Sequence, residues 1–370
     1  ETLEAQRVAH RQEGLVWVDY HRPGFHLART VGEAVKKNPK ARCVILAKHG
    51  LLTWGKTSKE CYLSTLAVLN ELSGAVRLKP FSPRATALSP EARRDLAARV
   101  MPAVRGAVAA LRPAILHFDD SPAALEFVNG ASSREVAAVG AATPDHLVST
   151  KRVPCFSAWS PQGGTAESLK AELLPAIEKY RADYEAWFQR WNRDPKMKMD
   201  DPYPRIILVP GLGMISVGKT KDLAVVSSWL YHRAISAMKG AGSQGKFLSL
   251  NEEESFNIEY WPLERYKLTT FPPDKDLTGK VALVLGPEIL AKRLAAEGAQ
   301  GVDGVSRAVL EYGGLDIVVA PASAFPAREA FALWREQGRG GSLVLRGVEG
   351  LQALAEEGKA ALGACVFTNV

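Results

Sequence analysis

Apolar and polar positions follow one pattern twice along the chain. From Arg42 to Thr57 the sequence R-C-V-I-L-A-K-H-G-L-L-T-W-G-K-T gives an apolar run, a glycine, a second short apolar run and a Gly-Lys-Thr stop. Helical spacing follows from Lys59 to Leu72, so the pattern predicts a buried strand, a tight turn, a short strand and a helix. The pattern returns without gaps from Arg205 to Thr220, ahead of a helical stretch from Lys221 to Met238. The segments upstream also correspond. Leu15 to Val18, the loop Arg22-Pro23-Gly24 and the periodic stretch Ala28 to Val35 match Val153 to Trp159, Pro161-Gln162-Gly163-Gly164 and Leu169 to Tyr180. Two related α/β modules in tandem are the expectation, with coincidental similarity of glycine-punctuated strands as the alternative.

Between the modules, Ser89-Pro90-Glu91 supplies an N-cap, a proline at N1 and an early acid. Leu96, Val100, Val104, Val108 and Leu111 then fall at helical spacing, which predicts a bridging helix bent at Pro102. Trp261-Pro262-Leu263 and Phe271-Pro272-Pro273-Asp274 read as a proline-rich linker. Beyond it an apolar strand ends at Gly286. Helix (Glu288 to Glu297), helix (Val305 to Glu311), strand (Leu315 to Ala320) and strand (Ser342 to Leu345) follow, an alternation that predicts a parallel sheet. The fold class is α/β: tandem modules, the second degenerate, then a Rossmann-like parallel sheet. The segments are 1–80, a helical linker 81–111, 112–270 and 275–370. From Gly279 to Val370 there is room for about three βαβ units at roughly 30 residues each, half of a doubly wound sheet. The region reads as keeping its strand and helix cores while losing loops near Gly286–Pro287, Gln300–Gly301 and Ser323–Phe325.

Composition narrows the function classes. The 370 residues are 46% hydrophobic and 24% charged, and no apolar run is long enough for a membrane helix. The net charge of +7 is scattered, without the basic block that tracks a phosphate backbone, so neither nucleic acid nor membrane is an expected partner. Cys43, Cys61, Cys155 and Cys365 have no C-x-x-C spacing, which fits a reducing cytoplasm. Glu1, with no basic and apolar leader after it, reads as a trimmed end and not as a signal peptide.

Among the candidate chemical groups His49 stands first. It follows a strand that should be buried and precedes Gly50, so its imidazole is either a divalent-metal ligand or a satisfied core histidine. The equivalent residue of the second copy is Leu212, as if one module were active and its sister degenerate. His21 and His26 read as exposed loop residues, and Asp145, beside His146, as the cap of a helix start.

Ala47-Lys48-His49-Gly50-Leu51-Leu52-Thr53-Trp54-Gly55 resembles the last metal-ligand strand of class II, zinc-dependent sugar-phosphate aldolases. Val18-Asp19-Tyr20-His21-Arg22-Pro23-Gly24-Phe25 resembles the strand and loop before it. Leu116-His117-Phe118-Asp119-Asp120-Ser121-Pro122, Thr143-Pro144-Asp145-His146-Leu147, Val209-Pro210-Gly211-Leu212-Gly213-Met214 and Glu259-Tyr260-Trp261-Pro262-Leu263-Glu264 are similar to a bacterial family that fuses rhamnulose-1-phosphate aldolase to a short-chain alcohol dehydrogenase. The resemblance covers nearly the whole chain. It implies cleavage of a ketose 1-phosphate to dihydroxyacetone phosphate and lactaldehyde, followed by NAD-dependent oxidation of the aldehyde. It also implies small-molecule partners and a homo-oligomer.

The implied zinc is held by three imidazoles, of which His49 matches one. The seven histidines (His10, His21, His26, His49, His117, His146 and His232) include no His-x-His pair. In the dehydrogenase-like region the resemblance assigns cofactor binding to Gly286 and Ala320, but Pro287 follows the glycine at once. No Tyr-x-x-x-Lys is present, Tyr312 being the sole tyrosine after Gly279, with Asp316 four residues on. The reading from another class is therefore a structural or oligomer-forming remnant of this family without catalysis.

Overall fold

The computed structural model describes residues 14–75, 78–346 and 351–362; Glu1, His10 and Cys365 lie outside the described residues. In chain order the elements are β1 (Leu15–Val18), α1 (Phe25–Lys37), β2 (Cys43–Leu46), β3 (Gly50–Thr53), α2 (Ser58–Ala75), α3 (Pro90–Val108) and β4 (Ile115–Asp119). Next come α4 (Pro122–Val128), α5 (Ser133–Ala137), α6 (Pro144–Thr150), β5 (Cys155–Phe156), α7 (Ala166–Trp191), β6 (Ile206–Val209), β7 (Gly213–Gly218) and α8 (Lys221–Gln244). The chain continues with α9 (Glu252–Glu259), α10 (Pro262–Thr269), β8 (Val281–Val284), α11 (Glu288–Ala296), β9 (Gln300–Val302) and α12 (Val305–Tyr312). It closes with β10 (Ile317–Pro321), α13 (Ala327–Glu336), β11 (Ser342–Arg346) and α14 (Leu351–Leu362). The fold class is α/β, as the patterning predicts.

These elements gather into two compact units, neither of them a continuous stretch of chain. One holds Glu1–Ser82, Ala131–Val153 and Leu230–Thr269; the other holds Pro83–Gly130, Pro154–Trp229 and Thr270–Val370.

The duplication is visible bond by bond. In the first unit β1 pairs with β2 in parallel and β2 with β3 antiparallel, giving the order β1-β2-β3. In the second, β5 pairs with β6 in parallel and β6 with β7 antiparallel. Cys43 faces Thr53 and Leu46 faces Gly50 in one hairpin; Ile206 faces Ser216 and Val209 faces Gly213 in the other, the same register residue for residue. The helix starts match too. Cys61 N donates to Thr57 O and Glu60 N to Thr57 Oγ1, as Ala224 N does to Thr220 O and Leu223 N to Thr220 Oγ1. At Gly55 and Gly218, just before each helix, a Cβ would meet backbone nitrogen at 2.5 and 2.3 Å, so both copies need glycine where strand and helix approach.

The second sheet has the order β4-β7-β6-β5, with β4 antiparallel to β7. Successive side chains of a strand point to opposite faces, and β4 uses both. Leu116 is buried among Val104, Leu173 and Ile215, whereas Ile115 is buried among Leu283, Val318 and Trp334. The parallel sheet thus shares a wall with the second module. Its own order is β11-β10-β8-β9, all parallel, so the strand order reverses between β8 and β10.

Helix α3 begins as expected: Ser89 Oγ accepts from Ala92 N at 3.2 Å and Pro90 takes the first turn. Leu96, Val100, Val104 and Val108 are buried, and the helix continues through Pro102. It ends at Val108, however, and Leu111 is 67% exposed. The Trp261-Pro262 stretch is likewise no linker, since Pro262 opens α10 as an N1 proline can. The joins at Gly286–Pro287 and Gln300–Gly301 are tight. Gln300 and Gly301 are part of β9, Leu285 N donates to Val319 O at 2.7 Å, and Leu290 N closes a turn onto Pro287 O.

Candidate functional site

Parallel pairing of β1 with β2 brings the loop after Val18 next to the turn after Leu46, where Ala47 N donates to Val18 O at 2.9 Å. That turn is Ala47-Lys48-His49, closed by His49 N on Leu46 O at 3.1 Å, with Lys48 in the left-handed region at φ 56°. His49 is half-buried, and its Nδ1 is buried without a hydrogen-bond partner. A buried ring nitrogen with no partner is costly unless something coordinates or hydrogen-bonds it.

The sister turn is Pro210-Gly211-Leu212, closed by Leu212 N on Val209 O at 3.2 Å, with Gly211 at φ 76°. Here the position is filled. Leu212 is wholly buried, Gly211 N donates to Asn129 Oδ1 at 2.7 Å, and Leu88 N donates to Gly211 O at 3.1 Å. A Cβ on Gly211 would meet Pro161 at 2.5 Å. Side chains and backbone close the second module's turn, whereas the first module's turn leaves His49 Nδ1 without a hydrogen-bond partner.

Downstream of β1 a charged cluster forms that sequence reading missed. Arg22 grips Glu254 with both ends of its guanidinium, Nη2 to Oε1 at 2.6 Å and Nε to Oε2 at 3.2 Å, and Tyr20 OH donates to Oε2 at 3.4 Å. Arg22 is the main reason the Glu254 carboxyl lies below its ordinary pKa. Burial, then the Glu254 charge, pushes the Tyr20 phenol up to about 12, so it stays protonated and donates. The motif around Tyr20 was visible in the sequence; its partner more than two hundred residues away was not.

The remaining candidates take structural places. His26 lies within α1, not in a loop, and its ring meets His21 edge-on at 5.1 Å. Asp145 sits in the first turn of α6, where its carboxylate serves the helix start, and bonds Lys267 Nζ at 3.0 Å; Thr143 occupies the N-cap position. His146 is buried, with Nδ1 2.7 Å from Thr143 Oγ1 and Nε2 2.7 Å from Leu230 O. Asp316 accepts from Arg105 and from Val281 N, which makes it part of the framework. Tyr312 ends α12 ahead of β10, and Lys221 Nζ lies 5.6 Å from its ring centroid. Among the described residues no group of three His, Cys, Asp or Glu side chains is placed to hold a metal ion.

Gly286 and Ala320 follow or end the two strands between which the order reverses, the place where open parallel sheets hold ligands. Gly286 is exposed, and Ala320 is wholly buried in the core of the sheet. The helix that would face a pyrophosphate opens poorly for one. Pro287 at the N-cap has no N–H, and Glu288 places a carboxylate in the first turn.

Among the described residues no helix is long and apolar enough to cross a membrane, and Cys43, Cys61 and Cys155 are free thiols.

Two family profiles match the chain: "Class II Aldolase and Adducin N-terminal domain" over residues 2–72 and "Aldolase class II, second domain" over residues 95–268. A protein of Bacillus subtilis (strain 168) named "Uncharacterized oxidoreductase YuxG" is 36% identical over 415 aligned residues, covering 90% of this chain. The chain spans 59% of the length of that relative. No solved structure matches the chain.

Proposed function

We propose, on the premise that residues 2–72 and 95–268 are class II aldolase domains, that the whole protein is a cytoplasmic enzyme splitting a ketose 1-phosphate. The substrate is rhamnulose 1-phosphate, the products are dihydroxyacetone phosphate and lactaldehyde, and the enzyme is a homo-oligomer. The observation that carries this reading is the contrast between the two copies of one hairpin. The first holds His49 with a buried, unpartnered Nδ1, and the second holds a wholly buried Leu212.

A class II aldolase implies zinc, whose chemistry is to polarise the ketose oxygens as a Lewis acid. His49 fits such an ion as one imidazole ligand, and the described residues supply no set of three. What this chain does supply is placement: His49 N on Leu46 O and Ala47 N on Val18 O hold the backbone of the turn that carries the imidazole.

For the parallel sheet, the NAD-dependent oxidation of the aldehyde that the resemblance implies has its strand order in place and lacks its pyrophosphate turn. Pro287 and Glu288 favour the second reading for this part, a sheet kept for its packing against β4.

Metal analysis and an aldol-cleavage assay on the purified whole protein test the proposal. Stoichiometric zinc, with cleavage falling by about a hundredfold or more in His49→Ala and unchanged in Leu212→Met, is the expected outcome. Full cleavage by His49→Ala would remove the basis of the reading.

A further inference from the structure

The two copies of the hairpin differ at their outer edge as well as at their turn. In the second unit β7 lies between β6 and β4, in the order β4-β7-β6-β5. In the first unit β3, the counterpart of β7, ends the sheet β1-β2-β3, and among the described residues no strand pairs with its outer side.

Side-chain exposure follows that difference. Leu52 holds the position of Ile215, and Trp54, the residue after β3, that of Val217. Ile215 and Val217 are 1% exposed and stand directly opposite Phe118 and Leu116 of β4. Leu52 is 40% exposed and Trp54 39%. The exposure begins at β3, because Val44, opposite Leu52 on β2, is wholly buried in a cluster with Leu27 of α1.

The glycines that open the two strands tell the same story. A Cβ on Gly213 would meet Asp119 O at 2.6 Å, so β4 comes close enough to demand glycine there. Gly50 holds the same place in β3, and nothing lies within 4 Å of where its Cβ would be. The first copy keeps the residue that a close backbone requires without the backbone beside it. An open edge of this kind, with no charge and no proline in Gly50–Thr53, is a template for another strand.

The sister module shows which strand fits. β4 runs antiparallel to β7 and puts Leu116 and Phe118, two residues apart, on one face. The constant offset that carries Arg42 onto Arg205 places the counterpart of Ile115–Asp119 ahead of residue 1. The Bacillus subtilis relative is longer than this chain, which spans 59% of it.

We propose that in the whole protein the outer edge of β3 is covered by a strand from ahead of residue 1, antiparallel to β3 and with apolar side chains at alternate positions over Leu52 and Trp54. In the register of β4, where Asp119 faces Met214, this strand ends opposite Leu51, and the loop after it lies beside the His49 turn. The inference concerns the sheet and holds whichever reaction that turn serves.

Photocrosslinking reads the occupant directly. Leu52→p-benzoylphenylalanine in the whole protein, irradiated in an equal mixture of light and heavy isotope-labelled chains, should crosslink within one chain to a segment ahead of residue 1. Crosslinks confined to residues 1–370 overturn the proposal, and those between two chains would make a second copy of β3 the occupant. Amide exchange on the unmodified whole protein is the check that needs no variant. The amides of Gly50–Thr53 that point away from β2 should be protected about a hundredfold or more over an unpaired strand, and free exchange there overturns the proposal. Leu52→Lys should also lower the thermal midpoint by several degrees, whereas Leu111→Lys, at a position 67% exposed, should leave it unchanged. Equal melts for the two variants count against a covered edge.

Discussion

Arg105 and Asp316 meet across the second unit, Nη2 to Oδ2 at 2.6 Å, with side chains only 3% and 16% exposed. The same guanidinium donates to Ala114 O at 2.7 Å and to Gly279 O at 3.0 Å, so α3 is bonded to the separate segments that lead into β4 and β8. Removing one partner of a buried pair leaves an uncompensated charge, at a cost of about 3–5 kcal/mol. Arg105→Met should therefore lower the urea midpoint sharply. Because the parallel sheet and the second module share β4, both should unfold in the same transition, which tryptophan fluorescence and circular dichroism would report together.

A second prediction contrasts two helical glycines. At Gly106 in α3 a Cβ would lie 1.8 Å from Gln337 O, whereas at Gly74 in α2 nothing lies within 4 Å. Glycine to alanine in a helix interior normally stabilises by about 0.8–1 kcal/mol. Gly74→Ala, in the last turn of α2, should gain in the same direction by less. Gly106→Ala should reverse its sign, since the obstacle is backbone that cannot rotate away, and thermal melts of the two variants are the check.

The third concerns acid. Burial holds the His146 pKa below its ordinary value of 6.5, so below that pH the native state binds fewer protons than the unfolded chain. The stability linked to His146 is complete above pH 6.5 and declines as pH falls through it toward the lower folded value. His146→Gln can still accept from Thr143 and donate to Leu230 O, and it should flatten this part of the profile. Urea midpoints measured across the acid range decide it.

The fourth reads the Tyr20 phenol. Its pKa of about 12 owes most to burial and next to the Glu254 charge. Glu254→Gln should bring it part of the way back to 10.0, with burial holding the remainder. Phenolate absorbance titration, with Tyr20→Phe as the subtracted reference, isolates the transition.

The strand-turn-strand-helix units were legible because glycine, apolar run and helix stop recur at one constant spacing, and that spacing is why Cys43 with Thr53 and Ile206 with Ser216 share one register. Ser89-Pro90 likewise marks its helix start from local chemistry. Leu111 was misplaced because helical spacing continues past the last residue that packing buries. The site's second half was illegible for a different reason. Ser249 and Glu254 reach Ala141 and Arg22 through single hydrogen bonds or ion pairs across more than a hundred residues, and such contacts leave no periodicity to read. Asp145 reads as an acid serving a helix start and lies in the first turn of α6, with Thr143, two residues earlier, at the N-cap position.

The closed turn of the second module bears on its history as much as on its chemistry. Asn129 and Leu88 hold Gly211 from two sides, and Leu212 has no exposed surface. A histidine at 212 would set an imidazole in a dry core at a cost in stability, so this copy is free to vary at its surface while no single substitution at the turn opens it to a ligand.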